Sequence, residues 1–158
     1  MSKLLSPSHY IGLAEVPDEI ALCINISECP IKCKGCHSPG LQTRIGNELT
    51  NDKLKQLIED NQGISVISIM GGDLNPLEVN NVLRFVKDNY PELKTCWYSG
   101  KTKVNPLVDL SNLDYVKLGA YVEDQGGLDN VSTNQRFYHI VNKELVDITK
   151  WFWRNKII

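Results

Sequence analysis

Three cysteines crowd into eight residues, Cys29, Cys33 and Cys36, spaced four and then three apart among Pro30, Lys32, Lys34 and Gly35. Thiolates at such intervals on a loop can grip three corners of a cuboidal iron–sulfur cluster, for which Cys is the usual ligand. Three ligands leave one iron open, and an open iron can coordinate a substrate or cofactor directly. Two polar, glycine-bearing turns further along, Gly71-Gly72-Asp73 and Ser99-Gly100, are candidates to share a site with the cysteine run.

Rival readings of the cysteine run fit less well. Cys33-Lys34-Gly35-Cys36-His37 matches a haem-attachment pattern, but it leaves Cys29 unused. Zinc held by Cys29, Cys33, Cys36 and His37 would be a closed tetrahedral site, yet His37 directly follows Cys36, which makes joint chelation awkward. A thioredoxin-like Cys33/Cys36 pair wants a helix N-terminus there, and Pro39-Gly40 argues against one. Buried, unreactive thiols suit Cys23 and Cys96, which sit in apolar runs.

These residues need elements to position them. Ile20 to Ile26 reads as a buried strand that runs into the cysteine loop. Thr50 or Asn51 begins a helix through about Asn61, with Leu54, Leu57 and Ile58 on one face. Ser65 to Met70 reads as a second strand ending at Gly71-Gly72. Pro76 opens a helix with Val79, Val82, Leu83 and Val86 at helical spacing. Thr95 to Tyr98, Tyr115 to Leu118 and Phe137 to Val141 complete the strands. Alternation of strand and helix predicts an α/β fold: an open partial (βα) barrel with a mostly parallel sheet of about five or six strands. A closed eight-stranded barrel takes about 250 residues, more than the 158 present. In parallel sheets chemistry collects at the carboxyl ends of strands, so the cysteine loop, Gly71-Gly72-Asp73, Ser99-Gly100 and Gly119 are expected along one edge.

Composition narrows the class. Residues 1–158 are expected to form a single domain, with 42% hydrophobic and 23% charged residues. A net charge of −2 without a basic stripe gives no footprint for nucleic acid. No signal peptide and no apolar run of membrane-spanning length is visible, so a cytoplasmic location is expected, where structural disulfides are rare. The odd count of five cysteines also argues against a disulfide framework.

The run from Cys29 to Cys36 resembles the C-x-x-x-C-x-x-C signature of the radical S-adenosylmethionine enzymes. Gly35-Cys36-His37 resembles the small activating enzymes of anaerobic ribonucleotide reductase. Gly71-Gly72-Asp73 is similar to that family's glycine–glycine–acidic turn, although Leu74 and Asn75 intervene before Pro76. Trp97-Tyr98-Ser99-Gly100 resembles its aromatic strand ending in a hydroxyl residue and Gly, and Asn134-Gln135-Arg136 its late Asn-Gln-Arg run. Lys101 and Lys117-Leu118-Gly119 depart from the family pattern.

The resemblance implies a 4Fe-4S cluster on Cys29, Cys33 and Cys36 as the catalytic and metal-binding centre, with S-adenosylmethionine closing the open iron. It implies cofactor contacts from Gly35, His37, Gly71, Gly72, Asp73 and Ser99. Asp73 would accept a charge-assisted hydrogen bond from the methionyl ammonium; its bland alternative is a helix cap. Reductive cleavage would give a 5′-deoxyadenosyl radical that installs a glycyl radical on anaerobic ribonucleotide reductase, with flavodoxin or ferredoxin as electron donor. A small domain leaves its site open, so a partner's glycine loop is expected as the missing wall. A radical enzyme acting on a small molecule or peptide, and a non-catalytic zinc module, are the alternatives. Trp151-Phe152-Trp153 is expected to dock on the domain's own core.

Overall fold

The computed structural model describes residues 4–27 and 44–154. Its centre is one seven-stranded sheet. In chain order the strands are β1 (Leu5–Ser6), β2 (Ser8–Gly12), β3 (Ala21–Asn25), β4 (Asn47–Glu48), β5 (Val66–Met70), β6 (Lys94–Tyr98), β7 (Tyr115–Leu118), β8 (Arg136–Val141) and β9 (Glu144–Asp147). The helices are α1 (Asn51–Asp60) and α2 (Pro76–Asn89). The sheet runs β2-β3-β5-β6-β7-β8-β9, while β1 and β4 form a separate two-stranded ribbon.

The expected mostly parallel (βα) barrel is therefore corrected to a mixed sheet with two α-helices among the described residues. Pairs β3–β5, β5–β6 and β6–β7 are parallel, but β2–β3, β7–β8 and β8–β9 are antiparallel. The reason lies in the connections. A parallel return needs a crossover of about a dozen residues or more, whereas an antiparallel return needs only a turn. After β7 no stretch has helical apolar spacing, and β8 turns into β9 through Asn142 and Lys143 alone. Even the β6–β7 crossover contains just a 3-10 turn at Leu110–Asn112. A groove of about 830 Å³ remains on the helix side of β7, β8 and β9, with Val104, Leu107, Leu118, Tyr138 and Leu145 in its lining.

Both α-helices start where their caps dictate. Thr50 accepts the N–H of Lys53, and Asn75 accepts the N–H of Glu78 ahead of Pro76. Leu54, Leu57 and Ile58 of α1 and Val79, Val82, Leu83 and Val86 of α2 pack on one sheet face. Leu22 and Ile24 of β3, Ile67 and Ile69 of β5, Trp97 of β6 and Val116 of β7 meet them there. The opposite face carries a second apolar cluster of Cys23, Val66, Cys96, Tyr115 and Phe137. Val16, fully buried, covers it from the β2–β3 loop. Phe152 joins it from the C-terminal 3-10 helix, 5.2 Å from the Phe137 ring, so this part of the tail docks on its own core. No described helix is long and apolar enough to cross a membrane.

Candidate metal centre and the sheet edge beside it

Because β3, β5, β6 and β7 are mutually parallel, their carboxyl ends lie along one edge. The pairing continues past the strands: Ile26 N donates to Met70 O at 3.0 Å, Gly71 N to Tyr98 O at 3.0 Å, and Ser99 N to Lys117 O at 2.9 Å. Of the four turns expected along one edge, Gly71-Gly72-Asp73, Ser99-Gly100 and Gly119 lie there beside the end of β3.

Cys29, Cys33, Gly35, Cys36 and His37 lie outside the described residues; the two ends of their segment are described. Ser27 N donates to Leu5 O at 2.9 Å, and Ile45 N donates back to Ser27 Oγ at 3.3 Å. The described residues on either side of that segment therefore meet at the carboxyl end of β3. Ile26 also abuts the glycine turn, since a Cβ on Gly71 would come within 3.2 Å of the Ile26 carbonyl oxygen.

The glycine turn is built by β6. Four consecutive residues each place one hydrogen bond on it. Trp97 Nε1 donates to Gly71 O at 2.7 Å, and Tyr98 O accepts from Gly71 N. Ser99 Oγ donates to Asp73 Oδ1 at 2.5 Å, and Gly100 N donates to Asp73 Oδ2 at 2.8 Å. Gly71 and Gly72 have φ of +113° and +97°, a region glycine enters without steric cost. A Cβ on Gly72 would also stand 2.6 Å from Val79 Cγ2 of α2. Both glycines are thus demanded by the chain's own backbone and packing. Asp73 is not the cap of α2, because Asn75 has that place. Its carboxylate spans instead to the end of β6, half-buried, with a buried Ser99 as its partner.

The neighbouring turn at Gly119 is held in a similar way. Lys117 Nζ donates to Gly119 O at 3.0 Å and Gln135 Nε2 to the same oxygen at 3.3 Å. Gln135 is buried and Arg136 lies 3.8 Å from Asp147 of β9. These roles are internal. The sequence pointed to Ser99 in the β6 run but not to Trp97, whose indole N–H carries no signal separable from an ordinary core aromatic.

The two described cysteines are unsuited to a metal. Burial, reinforced by the Glu15 charge, pushes the Cys23 thiol up to about 12. Burial likewise raises Cys96. Both therefore stay protonated near neutral pH, and the thiolate is the form that ligates metal. Among the described residues no three His, Cys, Asp or Glu side chains are grouped to hold a metal ion. The remaining donor set is Cys29, Cys33 and Cys36, three thiols on one segment rooted at the sheet edge. Three sulfurs suit a cuboidal cluster with one open corner.

A family model described as a 4Fe-4S single cluster domain matches residues 20–148. The chain belongs to that family. No curated protein and no solved structure matched the chain. Membership makes it an iron–sulfur protein, and the matched span takes in the cysteine run, both helices and every strand from β3 to β9. For a single cluster domain of this family, the only tight grouping of cysteines in the sequence is Cys29, Cys33 and Cys36.

Proposed function

We propose that the protein is a radical S-adenosylmethionine activase, which installs a glycyl radical on anaerobic ribonucleotide reductase. The observation that carries this reading is the adjacency of two features at one sheet edge. The root of the cysteine segment at Ser27 follows β3, and the Gly71-Gly72-Asp73 turn follows β5, its immediate parallel neighbour. A three-thiolate cluster needs a further ligand, and an amino-acid-bearing cofactor needs an acceptor for its ammonium. The reading assigns these two requirements to neighbouring strand ends.

The bound cluster would supply one low-potential electron to the sulfonium, releasing methionine and a 5′-deoxyadenosyl radical. The protein's own part is to bind, orient and exclude water. Asp73 keeps acceptor capacity on both oxygens beyond the two bonds from Ser99 and Gly100. It can therefore take an ammonium without releasing its hold on β6. Ser99 fixes the carboxylate so that the ligand meets a preset acceptor rather than a mobile one. Flavodoxin or ferredoxin is the class of electron donor this reading requires. The reductase would present its glycine loop at this edge and complete the wall that excludes water.

The test is to reconstitute the protein anaerobically, reduce it with S-adenosylmethionine, and assay methionine and 5′-deoxyadenosine. Adding the reductase should then give a glycyl doublet in spin resonance that is lost when the reductase's glycine is changed to Ala. Cleavage without a doublet, together with turnover on a free small molecule, would instead identify a small-substrate radical enzyme. A zinc-loaded protein lacking iron and sulfide would remove the reading altogether.

A further inference from the structure

On the reading of the site given above, we propose that Trp97 is a positioning residue for S-adenosylmethionine, acting through the carbonyl of Gly71. The starting point is the conformational freedom of the turn. Two successive glycines, both at positive φ, flank a peptide plane that no side chain of their own restrains. Glycine also loses more freedom on ordering than any other residue. The plane of the Gly71–Gly72 peptide is set by what its carbonyl touches, and that group is the Trp97 indole N–H at 2.7 Å.

The donor is itself immobile. Trp97 is 1% exposed and sits in the apolar cluster between the sheet and the two helices, with Ile69 of β5, Val79 and Leu83 of α2 and Val116 of β7 as members. Water does not compete for its N–H, so the bond keeps its strength and direction. In a trans peptide the N–H points opposite to the C=O. Tying the Gly71 carbonyl to the core side therefore turns the Gly72 N–H away from it and fixes the bond from which Asp73 continues. The core thus holds the first half of the turn through Trp97, and Ser99 with Gly100 holds the second half through Asp73.

A Trp97→Phe variant keeps a buried aromatic and removes the donor. Full-length wild-type and variant proteins, anaerobically reconstituted, are titrated with S-adenosylmethionine. The change in the spin-resonance signal of the reduced cluster gives Kd, and Tm and iron content are measured in parallel. At least tenfold weaker binding by the folded, iron-loaded variant is expected. Should Trp97→Phe not fold, replacing the indole with the isosteric benzothiophene keeps ring shape and removes the N–H alone. An unchanged Kd in the folded variant would make Trp97 an ordinary core residue and overturn the inference, whatever happens to Tm. Failure of the wild-type protein to bind S-adenosylmethionine while holding a full cluster is a separate result. It would overturn the underlying reading and the inference with it.

Discussion

Ser99 gives its hydroxyl hydrogen to Oδ1 of Asp73 at 2.5 Å, across 26 residues of sequence and between the ends of two parallel strands. This bond joins two short motifs that look independent in the sequence. The same hydroxyl accepts the N–H of Lys101 at 3.1 Å, so the chain leaving β6 is fixed by the same atom. Asp73 is consequently a strut for β6 and, on the proposed function, a receptor for the cofactor's ammonium. The two roles separate by mutation.

Asp73→Asn should weaken S-adenosylmethionine binding by roughly ten- to a hundredfold, the equivalent of about 1.5–3 kcal/mol for one charged hydrogen bond. Iron and sulfide content should stay near that of the wild type, since the carboxylate serves the ligand and the turn rather than iron. An amide that keeps its oxygen on the Gly100 N–H turns its NH2 toward Ser99 Oγ and loses the acceptor for that hydroxyl hydrogen, so some loss of Tm is expected. A lowered Tm with an unchanged Kd would leave Asp73 as a strut alone.

Cys29→Ser, Cys33→Ser and Cys36→Ser should each fail to retain a full cluster after anaerobic reconstitution. Cys23→Ala and Cys96→Ala should retain it, because both thiols are fully buried in the sheet and held protonated. Iron and acid-labile sulfide assays on the five variants decide this. Wild-type iron content in Cys33→Ser would refute the ligand set.

Alkaline pH should unfold the protein in a window set by its buried acids. The Cys23 thiol is raised by burial and by Glu15 from 9.0 to about 12. Burial also raises the phenols of Tyr98 and Tyr115, the latter with help from Glu19. Between pH 9 and 12 the unfolded chain has shed the Cys23 proton that the folded chain still holds. Stability from this group is therefore complete below about pH 9 and is lost as pH rises toward the folded value. Thermal melts across pH 8–12 should show a falling Tm, and Cys23→Ala should flatten the first part of the fall. An equally steep decline in that variant would put the alkaline sensitivity elsewhere.

Lys143→Gly should stabilise the fold. The two-residue turn between β8 and β9 holds Asn142 at φ 52° and Lys143 at φ 64°, a type I′ pattern in which Gly is preferred at the second place. A lysine there bears a left-handed penalty that glycine avoids, estimated at about 1–2 kcal/mol before the extra freedom of glycine in the unfolded chain is subtracted. A net gain of about 1 kcal/mol raises Tm by about 2–4 °C at this chain length. A fall in Tm would show that the Lys143 side chain makes contacts worth more than the strain.

The sequence by itself determined much of the local structure and supplied the candidate donor set. The cap at Thr50, Pro76 at the head of α2, apolar spacing in α1 and α2, and the short β-branched runs of β3 and β5 are signals within a few residues, and each element formed where its signal stands. Three thiols at intervals of four and three were equally local, and family membership agrees with the cluster they suggest. Other features were decided only by tertiary structure. Strands β2 and β9, mostly exposed along their length, carry little apolar pattern and form by pairing with β3 and β8. Their antiparallel pairing, with that of β7 and β8, is what replaces the expected barrel by a mixed sheet. The identity of the α2 cap, Asn75 rather than Asp73, followed from a carboxylate finding better partners on β6 than on its own helix. Trp97 lay in a run the sequence singled out, but nothing in that run signalled its bond to the Gly71 carbonyl. Hydrogen bonds between strand ends join residues about 26 apart, and no spacing rule within one element reaches that far. Parallel pairing brings those ends together, and only the folded sheet supplies it.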